Sequence, residues 1–145
     1  MNGKVIGVCT SKKKGEKKIN VNSALLIKDF GIEGDAHAGN WHRQVSFLDN
    51  KSIDKMRAKG LKVGLGDFAE NITTDGIDFT KLPIGTKVCI GNDVIVEITQ
   101  IGKECHTRCA IYFQVGDCVM PKEGVFAKVL EGGWVKVGDE IKTIE

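Results

Sequence analysis

The stretch TKVCIGNDVIVEITQI, residues 86–101, decides the fold. Two β-branched runs, TKVCI and VIVEITQI, flank Gly91-Asn92-Asp93, residue types that tolerate the left-handed backbone of a tight turn, so the chain doubles back here as a hairpin. Val94, Val96 and Ile98 recur at every second position, which puts them on one face of the second strand. The same signals recur outward in both directions. KVIGV (4–8) and KINVN (18–22) read as strands joined by a solvated, lysine-rich connection over 11–18. VSFLD (45–49) reads as a strand, and Asp49 is placed to cap a helix over 50–59 that Gly60 stops. After a turn at Gly64 and Gly66, ENITT suggests a strand and the following DG a tight turn. Pro121 is expected to open a second helix, with Val125 and Val129, and Phe126 and Leu130, spaced four apart until Gly132-Gly133 ends it. WVKVGDEIKTI is the last strand. Short strands with turn signals about every ten residues, and about two short helices, predict a mainly β, barrel-like domain rather than alternating βαβ units.

A chain of 145 residues is one domain, here 1–145. Apolar content of 41% and charged content of 28% are those of a folded globular unit. The lysines near the amino terminus follow a short apolar run, the wrong order for an export signal, and no run approaches the roughly 18–20 apolar residues of a membrane span. The expected location is cytoplasmic, with no membrane partner. A net charge of +2 does not call for a polyanionic partner. The lysines of 11–18 have no arginine or aromatic residue among them, so nucleic acid is not expected either. Neither a dinucleotide fingerprint nor a phosphate-loop lysine motif is present.

Five cysteines (9, 89, 105, 109 and 118) are an odd number in a chain with no export signal, which favours reduced thiols over a disulfide framework. Cys9 and Cys89 fall inside strands and read as small core residues. Cys105 and Cys109, in GKECHTRC (102–109), are different: a helical turn brings positions four apart to one side, and Lys103, His106 and Arg108 stabilise a negative sulfur. Both are candidates for a thiolate that acts as nucleophile or metal ligand. Cys105, His106, Cys109 and Cys118 also offer donors for zinc, although the spacing lacks the paired knuckles of structural zinc sites.

A second polar constellation is GIEGDAHAG, residues 31–39, followed by Asn40-Trp41-His42-Arg43. Gly31, Gly34 and Gly39 permit backbone turns whose amides can line an anion site, with His37, His42 or Arg43 adding charge; Asp35 is expected to hold the loop by accepting from its amides. Glu70-Asn71 is a third polar pair, suited to bracing loop backbone or contacting a ligand.

The order of these pieces resembles the MOSC domain, the module named for the carboxy-terminal part of molybdenum cofactor sulfurase. The matching segments are GIEGDAHAG with RQVSFL, then GDFAENIT, DGID and LPIGTKVCIG, then the cysteine segment after VEITQIG, and finally GVFAKVLEGGWVKVGDEI, together spanning about residues 18–141. The resemblance implies a barrel of the PK β-barrel-like kind and a pocket for the molybdenum cofactor (molybdopterin), a pterin dithiolene bearing a phosphate. It implies that Cys105 or Cys109 ligates molybdenum, as strand register upstream favours Cys105 and an Arg-Cys match favours Cys109. It places Gly34, Asp35, His37, His42, Arg43, Glu70, Asn71, Lys103 and Arg108 around the cofactor. Pyridoxal phosphate is also attached to the family, but no lysine here has the context of a Schiff-base former. An enzyme of this kind reduces N-hydroxylated compounds with electrons from a separate donor. The alternative is a sulfur carrier whose cysteine takes sulfur as a persulfide, or a cofactor-handling module, in metal-sulfur cluster or molybdenum cofactor biosynthesis, working with proteins of that biosynthesis or with molybdoenzymes. A zinc-stabilised binding domain is the third reading.

Overall fold

The computed structural model describes residues 1–14, 16–102 and 123–144. In chain order its elements are β1 (Asn2–Thr10), β2 (Ile19–Asn20), β3 (Ser23–Ile27), β4 (Gly31–Ile32), β5 (Val45–Asp49), α1 (Asn50–Ala58), β6 (Ile72–Asp75), a 3₁₀ turn (Phe79–Lys81), β7 (Lys87–Ile90), β8 (Val94–Ile101), β9 (Val125–Glu131), β10 (Gly133–Lys136) and β11 (Glu140–Ile144). The 86–101 hairpin forms as its alternation requires, with Val88 opposite Val96 and Ile90 opposite Val94. From it the sheet runs β11-β7-β8-β9-β5-β6-β1, and pairing of β1 with β11 (Asn2 opposite Lys142) closes seven strands into a barrel. Register shifts in β1 between Val5 and Gly7 and in β8 at two points supply the local bends that closure demands. Val5, Val8, Phe47, Val88, Val96 and Ile98 are among the side chains that fill it. Each contributes roughly 1.5–3 kcal/mol by leaving water.

The chain is mainly β, with one α-helix and one 3₁₀ turn among the described residues. α1 is capped as expected, Asp49 accepting from Lys51 N at 3.2 Å, and it links the parallel pair β5 and β6. Its Ile53 and Met56 pack with Leu48, Leu61, Phe68 and Phe126 in a second, smaller core.

Three expectations are corrected. The helix anticipated from Pro121 to Leu130 does not extend over 125–130: Glu123 is helical, but 125–131 is strand β9, paired with both β5 and β8. A spacing of four satisfies a strand as well as a helix, because residues i and i+4 share a strand face, and the β-branched Val125 and Val129 fit a doubly paired strand. The expected strand 134–144 is broken into β10 and β11 by a turn in which Gly138 takes φ +98°. The strand expected over 18–22 shortens to Ile19–Asn20, because Asn22 turns left-handed at φ +67° and β3 begins at Ser23. β3, β4 and β10 make a small separate sheet on the barrel's flank.

Candidate functional site

The glycine-rich stretch leaves β4 under tight constraint. Gly31 takes φ +121°, and a Cβ there would lie 2.8 Å from the Gln44 carbonyl oxygen, so only glycine fits. Gly34, at φ +85°, forms the exposed turn before Asp35. The amides that follow are consumed within the protein: Asp35 N donates to Ile32 O, Ala36 N to Ser11 O, His37 N to Asp35 Oδ2, Ala38 N to Asp35 O and Gly39 N to Phe30 O. The inward row of anion-binding amides anticipated from the glycines is therefore not what this loop presents. Its handle is side-chain charge.

Asp35 is the loop's anchor. Its Oδ1 accepts from Ser11 N at 3.0 Å and from Lys18 Nζ at 2.8 Å, and its Oδ2 accepts from His37 N at 3.0 Å. Both charged side chains of the Lys18–Asp35 pair are 0% exposed. Burial pushes the Asp35 carboxyl up, but the hydrogen bond and charge of Lys18, with the amides of Ser11 and His37, outweigh it and hold the group below the ordinary aspartate value. Lys18 Nζ also donates to Ser11 Oγ at 3.0 Å and meets His37 Nδ1 at 3.0 Å.

Above this buried pair lies a ledge of rings and cations. His37 and Trp41 stack with an interplanar angle of 4°, and Trp41 Nε1 donates to His37 O at 2.7 Å. Lys14 Nζ and the Arg43 guanidinium each lie 4.5 Å from the Trp41 ring centre, and Arg43 also covers Phe126 at 5.5 Å. His42 then ties the loop to the barrel. Its Nε2 meets Gln100 Oε1 at 2.9 Å, and its carbonyl accepts from Thr99 Oγ1 at 2.5 Å. Gln100 Nε2 donates to Gly102 O at 2.8 Å, so Gln100 Oε1 is the acceptor and His42 Nε2 carries a proton. Gly102 N in turn donates to Gly124 O at 2.6 Å. The two places where the chain leaves and re-enters the described barrel are thus adjacent, and they stand beside His42.

The third constellation sits beneath. Glu70 is 0% exposed, and its carboxylate accepts from Gly66 N and Phe68 N at 3.2 Å and from Thr73 Oγ1 at 2.6 Å. Burial pushes its carboxyl above the ordinary glutamate value despite these donors. Asn71 clamps two strands: Oδ1 accepts from Ser46 N at 2.9 Å, and Nδ2 donates to Cys9 O at 3.0 Å. Gly66, held by Glu70, accepts from Lys18 N at 2.9 Å. A continuous chain of contacts therefore runs from Glu70 through Gly66 and Lys18 to Asp35 and His37. Cys9, also 0% exposed, is pushed up to about 12 by burial and then by the Glu70 charge, which keeps it a thiol.

A pH dependence follows from Glu70. Because the folded state holds its proton more tightly than the unfolded chain, the stability tied to this group is complete below the ordinary value of 4.5 and is lost as pH rises through the raised one. Urea midpoints measured from about pH 4 to about pH 8 are expected to fall more for the wild type than for Glu70→Gln, which cannot ionise. Parallel pH profiles would contradict this.

Of the anticipated site residues, Gly34, Asp35, His37, His42 and Arg43 lie on the loop, and Glu70 is joined to it through Gly66 and Lys18, while Asn71 holds Cys9 in β1. Cys105, Cys109, Lys103 and Arg108, and with them His106 and Cys118, lie outside the described residues. Among the described residues no group of three or more His, Cys, Asp or Glu is arranged to hold a metal ion, and no helix is long and apolar enough to cross a membrane. Lys18 is the central residue that reading the sequence missed. It is one lysine in a run whose other described members are exposed, and nothing in residue type or spacing marks it as buried.

A MOSC domain family model matches residues 34–142. The chain belongs to the MOSC domain family. No curated protein matches this MOSC chain. Among solved structures it is similar to the YuaD protein from Bacillus subtilis, with a TM-score of 0.82 and 18% identity over 99% of this chain and 96% of that one. It is also similar to YiiM from Escherichia coli, with a TM-score of 0.68 and 16% identity over 100% of this chain and 70% of the other. YiiM from Geobacillus stearothermophilus gives a TM-score of 0.65 and 17% identity over 99% of this chain and 73% of the other. At these identities the likeness shows a shared fold. The association of MOSC domains with the molybdenum cofactor comes with the family.

Proposed function

We propose that this MOSC chain binds the molybdenum cofactor between the His37–Arg43 ledge and the segment that follows Gly102, with the thiolate of Cys105 or Cys109 as a metal ligand. The observation that carries this reading is the His42–Gln100–Gly102 hydrogen-bond chain, which joins the basic loop to the strand end from which the cysteine segment departs. Cys105 follows Gly102 by three residues in sequence, and three residues of chain reach at most about 11 Å.

The donor set suits the group. Its phosphate needs cations, and Lys14 and Arg43 lie over the partly exposed Trp41, with His42 exposed beside them. The negative charge of Asp35 beneath is balanced by Lys18, so it does not repel an anion. A flat heterocycle finds ring surface in the His37–Trp41 stack. When bound, the cofactor supplies redox and oxygen-transfer chemistry; the protein supplies position, charge and a soft sulfur donor. In its enzymatic form the chain takes electrons from a separate donor and reduces an N–OH bond.

The test is to purify the protein from a host that makes the cofactor, measure metals per chain, and record intact mass before and after thiol reduction. About one molybdenum per chain is expected. A reducible increment of about 32 Da without metal would replace this reading with a persulfide carrier. Zinc at about one per chain would replace it with a zinc-stabilised binding domain.

A further inference from the structure

The buried ammonium of Lys18 faces three acceptors. Ser11 Oγ, at 3.0 Å, donates its own proton to Lys13 O and so offers a lone pair; Asp35 Oδ1, at 2.8 Å, is a carboxylate oxygen; His37 Nδ1 lies at 3.0 Å. An ammonium has three N–H donors and no acceptor, so these partners use it completely. The third contact is a hydrogen bond only if His37 Nδ1 bears a lone pair.

We infer that Lys18, held in place by Asp35, is a positioning residue that locks His37 as the neutral tautomer with its proton on Nε2, making this ring a hydrogen-bond donor rather than a base or a cation. Charge balance agrees with the geometry. Lys18 and Asp35 cancel, and their side chains are fully buried, so the pair itself leaves no net negative charge to draw a second proton onto His37. The surroundings reinforce this: Lys14 and Arg43 both face the Trp41 ring that stacks on His37, and the other oxygen of Asp35 is 3.8 Å from Nδ1, beyond hydrogen-bond distance. The backbone fixes the arrangement from both ends, His37 N donating to Asp35 Oδ2 and Lys18 N to Gly66 O. As a statement about the ligand, a donor suited to an oxygen of an anionic group, this rests on the proposed cofactor site. The tautomer itself does not.

The experiment is ¹⁵N-edited NMR of the imidazole rings in the full chain at about pH 7.5, with His37 assigned by its absence in His37→Gln. The expected spectrum has His37 Nδ1 as an unprotonated, acceptor-type nitrogen and Nε2 as a protonated one. A proton on Nδ1, or an imidazolium, overturns the inference even if molybdenum is bound, whereas absence of molybdenum leaves the tautomer standing and overturns only the cofactor reading. In folded Lys18→Met the single-tautomer pattern is expected to be lost, as Nδ1 becomes able to protonate and pair with Asp35. Retention of the wild-type pattern would show that Lys18 does not set it. Should Lys18→Met not fold, Lys18→Met with Asp35→Asn removes both buried charges; loss of the single-tautomer pattern, now with no carboxylate at position 35 to draw a proton onto Nδ1, is the expected result there, and its retention would equally show that Lys18 does not set it.

Discussion

Lys18→Met is expected to destabilise the fold by about 3–5 kcal/mol, the cost of removing one partner from a buried ion pair. The methionine replaces the stem of the lysine but not its charge, leaving the Asp35 carboxylate, 0% exposed, with the amides of Ser11 and His37 and, when it protonates, the partly exposed His37 ring 3.8 Å away. Substituting Asp35→Asn as well removes the orphaned charge, so the double variant is expected to be more stable than Lys18→Met alone. That non-additivity identifies the pair, rather than lost packing, as the cause. The pH dependence has a definite sign. Asp35 is held below its ordinary value of 3.8, so its contribution is present above that value and is lost as pH falls through the depressed one. Urea unfolding midpoints at neutral pH, repeated in acid with Asp35→Asn as reference, check both parts. A loss below about 1 kcal/mol in Lys18→Met would mean that the pair is not buried as described.

Gly66→Ala is expected to cost more than about 2 kcal/mol and to leave little folded protein. A Cβ at this position would lie 2.0 Å from the Lys18 carbonyl oxygen and 2.7 Å from its carbonyl carbon, with Cys9 Sγ at 3.3 Å, and the residue takes φ +82°. The added Cβ meets backbone atoms of Lys18, so no side chain can swing aside to relieve the clash. Relief requires moving β2 away, which breaks the Lys18 N to Gly66 O bond and shifts Lys18 off Asp35. Gly34→Ala is the control. Gly34 has nearly the same φ, +85°, but a Cβ there meets nothing within 4 Å, so only the left-handed backbone penalty of roughly 1–2 kcal/mol applies. Equal losses in the two variants would show that conformation, not close approach, is what Gly66 supplies.

These two residues also mark where sequence reading stops. The hairpin, β5 and the start of α1 were legible because alternation, β-branched runs and an Asp cap each leave a local signature. β9 was not, since Val125, Phe126, Val129 and Leu130 fit two periods and only pairing with β5 and β8 decides between them. In the site, the glycine loop and the Glu70-Asn71 pair stood out by composition. The link between them did not. Lys18 becomes distinct only once the barrel brings Gly66, Ser11 and Asp35 around it, contacts that span up to 48 positions of chain. A buried charge has no composition of its own.

The proposed cofactor site requires a cysteine sulfur, Cys105 or Cys109, to share one cavity with the basic loop. Molybdenum per chain, measured in parallel on the wild type, Cys105→Ser and Cys109→Ser from the same cofactor-producing host, tests this most directly. One of the two serine variants is expected to lose most of the bound metal while keeping the wild-type unfolding midpoint. If both variants retain the wild-type molybdenum content, neither sulfur is the ligand and the central claim is wrong.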